Sequence, residues 1–170
     1  MKTAKCIHPI KVNKLIKAFI TNVIPFPINL TLSWDDTPLI DYAICADGNN
    51  ITVFIPNWKK ADYTNDYGGK CFRKDFVDRC PLGRGFSDIT ISLLHEIGHA
   101  MTDADIPNNF CREVEYSKIR NISDITQRMF AYFRLLDEMM ATDWAIDWLQ
   151  DAEHRKMAKA FEKEFWACFE

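Results

Sequence analysis

The residues best equipped for chemistry in this chain are His95, Glu96 and His99, in the run Ile91-Ser92-Leu93-Leu94-His95-Glu96-Ile97-Gly98-His99-Ala100-Met101. They spell H-E-x-x-H. In a helix, imidazoles four positions apart stand on one face one turn apart, so both can hold one metal ion. Glu96 is rotated one step from His95, which sets its carboxylate beside such an ion, where it can take a proton from metal-held water instead of ligating. Asp88, Ser92, Gly98 and Thr102 fall near the His stripe, whereas Leu93, Leu94, Ile97 and Met101 fall on the side or back for core contact. With only 4 His in the chain, chance produces this motif with a probability of roughly half a per cent. The bland alternative is a core or surface helix with accidental histidines.

Catalytic zinc takes three protein ligands and keeps one position open, so a third ligand is needed. Ala131, Leu135, Glu138, Ala141, Ala145 and Leu149 form a stripe at helical spacing that is apolar except for Glu138. Burying that carboxylate unpaired costs several kcal/mol, and a Zn²⁺ ion held by the preceding helix would remove the cost. Glu138 is therefore the expected third ligand, against a Glu that snorkels or pairs with Arg134 or a Lys. Asp105 competes through a pattern in which the ligand lies six residues after the second His. That pattern turns the chain at a Gly three residues after the second His, where Thr102 stands here. His154 shares a stripe with Met157, Ala158, Phe161 and Phe165 and reads as a hydrogen-bonded core imidazole. His154, Tyr116 or Tyr132 could instead stabilise an oxyanion, and spacing does not choose among them.

His95-Glu96-Ile97-Gly98-His99, followed by Glu138-Met139-Met140-Ala141-Thr142-Asp143-Trp144-Ala145, resembles the gluzincin metallopeptidases. Within that group the chain is similar to the small ImmA/IrrE-like and phage-type neutral zinc peptidases. Members carry an E-x-x-A segment on a helix crossing behind the active one, then Asn or Asp and an aromatic-Ala pair. Here Thr142 stands where Asn or Asp is usual, so Thr142, Asp137 and Asp143 are all candidates to orient a zinc-bound His. The resemblance implies Zn²⁺ held by His95, His99 and Glu138, endopeptidase activity on a peptide or protein, and an edge strand over 50 to 55 that pairs with extended substrate. Cleavage of a repressor in a mobile element is one specific version. The opposing expectation is a zinc-stabilised regulatory module that hydrolyses nothing.

The elements that must position these residues are legible in outline. Pro9 suits a first helical turn, and Ile10, Leu15, Ala18 and Phe19 predict a helix over 9 to 21. Ile28, Leu30, Leu32 and Trp34 alternate as in a strand. Two further strands are expected over 39 to 46 and 50 to 56, joined by the turn Asp47-Gly48-Asn49, so the first half reads as a small antiparallel sheet. Residues 57 to 85 read as a long polar loop bordering the site. Beyond it, Ser87 can cap a helix to about 101, Ser123 or Asp124 a second to about 149, and Asp151 lies near the start of a third. Cys71 and Cys80 could form a disulfide or, with Cys111 or Cys45, bind a structural metal, though no C-x-x-C supports the latter. Trp144, Trp148, Phe161, Phe165, Trp166 and Phe169 read as packing between the last two helices.

At 170 residues and 48% hydrophobic, the chain suits one folded domain: sheet-rich over 1 to 56, helical from 86 to 170. A net charge of −3 argues against nucleic acid as a partner. Ala18 to Leu32, the most apolar stretch, is interrupted by Pro25, Pro27 and polar residues, so no membrane span is expected. No signal peptide is visible, and six reduced cysteines fit a cytoplasmic setting. Gly68-Gly69-Lys70 is followed by Cys71 and is no P-loop, and no G-x-S-x-G marks a serine hydrolase. The reading is an α+β zincin-like domain: a small antiparallel sheet, the H-E-x-x-H helix, then a long helix bearing Glu138.

Overall fold

The computed structural model describes residues 4–35, 43–47, 49–56, 58–59 and 67–169. Residues 39–42 of the expected second strand, Gly48 of its turn, and 57 and 60–66 of the expected loop lie outside these.

Helix α1 spans Pro9–Val23 and buries Val12, Ile16, Phe19 and Ile20. Ile10, expected on the apolar side, is instead 72% exposed. Four successive spacings of Val12, Ile16, Phe19, Ile20 and half-buried Val23 keep one face inward, and Ile10 falls off that stripe. Strand β1 (Ala4–Lys5) pairs antiparallel with β5 (Trp58–Lys59).

The main sheet comprises β2 (Asn29–Asp35), β3 (Ala43–Asp47) and β4 (Asn50–Pro56) in the order β2-β4-β3. The expected hairpin is present: β3 runs antiparallel to β4, with an irregularity between Cys45 and Asp47. The wholly antiparallel sheet is not, because β2 runs parallel to β4, from Asn29 opposite Asn50 to Asp35 opposite Pro56. β4 is the central strand rather than the edge. Its alternate residues Ile51, Val53 and Ile55 are essentially inaccessible, and the strand with the most completely buried face takes the middle.

The polar stretch after the sheet also departs from expectation. Instead of a loop, it holds helix α2 (Tyr67–Arg79) and a 3₁₀ turn, Pro81–Gly85. Cys71, Asp75, Phe76 and Cys80 are buried at helical spacing. Asp75 masks that stripe in the sequence, and its charge is matched by Arg134 at 2.7 Å and Arg79 at 3.7 Å. Cys71 and Cys80 are not bridged to each other: they stand nine positions apart along this helical segment, beyond the ~7 Å Cα separation a disulfide spans.

Helix α3 (Asp88–Thr102) starts after Ser87 as expected. Ser87 does not cap it with its own side chain. Its backbone N–H donates to Glu162 Oε1, and its hydroxyl donates to the same oxygen at 2.7 Å, so a distant helix caps this one. A 3₁₀ turn, Asp103–Asp105, leads to α4 (Arg112–Ile119). The long helix expected from 123 to 149 is two helices, α5 (Ile125–Tyr132), capped by Asp124, and α6 (Leu136–Gln150). The break at 133–135 places Asp137 and Glu138 in the first turn of α6, where unpaired N–H groups and the helix dipole favour carboxylates. Helix α7 (Ala152–Trp166) is capped by Asp151. The C-terminal aromatics pack α6 and α7 as expected, and α1 joins them: Phe19 stacks on Phe161 at 4.6 Å and meets Trp148 edge-on at 6.1 Å.

Helices α3 and α6 make the most extensive helix pair and cross at Gly98 and Ala141. A Cβ on Gly98 would stand 2.2 Å from the Ala141 carbonyl oxygen and 2.9 Å from its Cα, so only glycine admits this separation. Gly98→Ala is expected to destabilise the fold by about 1–3 kcal/mol or more, measured by denaturant unfolding, because rigid backbone rather than a side-chain end must yield.

Candidate metal centre

The crossing determines what faces the two histidines. His95 is buried and His99 half-buried on α3, with ring centroids 4.7 Å apart and nearly perpendicular. Glu138, 4% exposed, reaches across from α6. Its Oε2 lies 3.0 Å from His95 Nε2 and 3.6 Å from His99 Nε2. Four ligands at about 2.0–2.1 Å around a tetrahedral zinc ion stand about 3.3–3.4 Å apart, so these separations bracket one edge of such a site. Ligating atoms of His95, Glu96 and His99 also lie within 4.8 Å of one another. The structure thus brings together all four residues singled out in the sequence. Asp105 is exposed in the 3₁₀ turn after α3, and the carboxylate between the imidazoles is that of Glu138.

Thr142, one turn beyond Glu138, sits with Oγ1 3.0 Å from His95 Nδ1. Its hydroxyl both donates and accepts. When Nδ1–H donates to Thr142, Nε2 keeps its lone pair for a cation; when Nε2–H donates to Glu138, the hydroxyl donates to Nδ1. The other two candidates for orienting His95 are engaged elsewhere: Asp143 pairs with Arg79, and Asp137 with Arg112. Phe72 of α2 closes the remaining side of His95, edge-on at 4.9 Å.

Arg112, the first residue of α4, donates to Asp137 Oδ2, Glu138 Oε1 and Tyr132 Oη. Sequence reasoning missed Arg112 and Phe72. No spacing links a lone arginine to acids 25 positions away, and Phe72 fell in a segment read as loop. Of the three candidate oxyanion donors, Tyr132 is the one bonded into the centre. Tyr116 meets it edge-on at 6.1 Å. His154 stacks on Trp148 at 4.4 Å and contacts its carbonyl through Nδ1 at 3.0 Å, ten positions along α6 from Glu138, or about 15 Å.

Asp137 and Glu138 share the Arg112 guanidinium, and Glu138 also faces both imidazoles. Burial alone would raise the Glu138 pKa, but hydrogen bonds from His95 and His99 hold it well below the usual carboxylate range. Burial alone would lower that of His99, but the Glu138 hydrogen bond and the charges of Glu96 and Glu138 raise it. Burial and then the Glu138 charge push the Tyr132 phenol far up, so it stays protonated as a donor.

The chain matches no family model, no curated protein and no solved structure. No helix among the described residues is long and apolar enough to cross a membrane.

Two outcomes check this geometry by zinc titration. Thr142→Val should weaken zinc binding about 10–100-fold, because the hydroxyl that orients His95 is lost. A metal needs neutral imidazole, and ion-free His99 holds its proton above the ordinary 6.5. Zinc affinity should therefore climb with pH through that value and go on climbing until the raised His99 pKa is passed.

Proposed function

We propose that this protein is a zinc-dependent peptidase whose ion is held by His95, His99 and Glu138, with Glu96 as general base. The observation that carries this reading is the Glu138 carboxylate seated between two imidazoles one helical turn apart, with a second acid alongside. Zinc, when bound, supplies a Lewis acid that acidifies water and polarises a carbonyl. Glu96 accepts a proton from the attacking water and passes it to the departing amine. Tyr132, kept protonated and bonded to Arg112 beside Glu138, is the hydroxyl we assign to donate to the oxyanion of the tetrahedral intermediate. An extended substrate adds alongside β3, the edge strand that packs against α3, instead of the expected 50 to 55 segment. These assignments agree with the gluzincin-like pattern of the two motif segments.

Glu96→Gln separates this reading from a zinc-stabilised module without activity. It should keep about one zinc per chain while peptide hydrolysis falls by about 10²-fold or more. His95→Ala should lose the zinc. Hydrolysis undiminished in Glu96→Gln, or absent in zinc-loaded wild type against a broad peptide library, contradicts the enzyme reading.

A further inference from the structure

Helices α4 and α5 contain no buried residue. In α4, Arg112, Glu113, Val114, Tyr116, Ser117 and Lys118 are all exposed, so apolar burial cannot hold this helix in place. Besides half-buried Ile119 and the edge-on contact of Tyr116 with Tyr132, what reaches inward from it is the Arg112 side chain. Although 43% exposed, that side chain ends on two carboxylates that are each 4% exposed, Asp137 and Glu138, and on Tyr132 at the end of α5. Two adjacent buried acids repel each other, and the guanidinium fork is the cation that both share.

The division of the Glu138 oxygens gives this contact a consequence for the metal. Oε1 accepts from Arg112, whereas Oε2 faces His95 and His99. With Oε1 held, the carboxylate can neither rotate nor turn its second oxygen toward the ion. Resting on the zinc reading above, we propose that Arg112 is a positioning residue that fixes Glu138 as a one-oxygen ligand, and that its contact makes α4 a strap whose docking is coupled to metal binding. By linkage, whatever factor strap docking adds to zinc affinity, zinc adds to strap docking.

Arg112 acts on the ion in two opposing ways. Its charge repels a cation, and its fork orients the ligand. Arg112→Lys keeps the charge and loses the fork, because a compact ammonium cannot hold two carboxylates and a phenol in one plane. Zinc affinity, read by competition with a chromophoric chelator, should fall about 10–100-fold in Arg112→Lys. Arg155→Gln, which removes guanidinium contacts of 2.7 Å to the Leu149 and Gln150 carbonyls at the far end of α6, should leave zinc affinity within about twofold of wild type, because it touches no ligand and no partner of one. Zinc added to wild type should slow amide exchange across 112–119, and in Arg112→Lys this slowing should be lost.

Were Arg112 only a counter-charge, Arg112→Lys would bind zinc like wild type and Arg112→Gln would bind it more tightly; either result overturns the proposal. So does an equal loss in Arg155→Gln, which would make the effect one of general stability. Should the Arg112 variants fail to fold, the wild-type exchange measurement decides, and no zinc-dependent protection of α4 overturns the proposal. Wild type that binds no zinc at all overturns the metal reading itself, a different result from zinc binding that is indifferent to Arg112.

Discussion

Everything at the centre depends on how closely α3 and α6 can approach. At Gly98 the two backbones meet with no room for a single added carbon. That approach decides whether a carboxylate from one helix can stand about 3 Å from imidazoles of the other. A helix pair separated by ordinary side chains, at about 8–10 Å between axes, would leave Glu138 reaching rather than seated. Ala141 and Ala145, both fully buried, extend the same small-residue seam along α6. The motif histidines, the glycine between them and the alanine three residues after Glu138 form one geometric unit.

The surrounding elements hold that unit in register. Glu162 of α7 caps the first turn of α3, fixing the helix that carries the histidines. The break at 133–135 starts α6 where its first turn can stabilise Asp137 and Glu138 by their position alone. Arg134, within that break, is tied to buried Asp75 of α2, while Phe72 of the same helix walls off His95. The C-terminal aromatics, clamped against α1 through Phe19, hold the far end of α6.

The residues of the centre were more legible in the sequence than the fold that assembles them. His95, Glu96 and His99 are local, and helix geometry alone predicts their convergence. Glu138 was visible as one polar residue on an apolar stripe, a conflict that only a partner resolves. The misplaced elements share a cause, because each depends on long-range pairing. Helix α2 looked like loop because Asp75 interrupts its buried face, and its burial depends on Arg134, 59 positions away, together with Arg79 one turn on. The place of β2 beside β4 follows from which strand can be covered on both sides, which alternation within β2 does not encode. No proline or glycine marks the break between α5 and α6. Buried Phe133 and Leu135 and the Asp75 contact of Arg134 set it in the folded chain.

The proposed function stands on one divalent ion held between α3 and α6 by two imidazoles and one carboxylate. X-ray absorption at the zinc edge, on wild type loaded with one equivalent and dialysed, tests it most directly. An ion on His95, His99 and Glu138 gives a four-coordinate shell of nitrogen and oxygen at about 2.0–2.2 Å with two-imidazole scattering. A shell containing sulfur at about 2.3 Å would place the ion on cysteines instead, and zinc lost on dialysis would leave the paired histidines without an ion to hold.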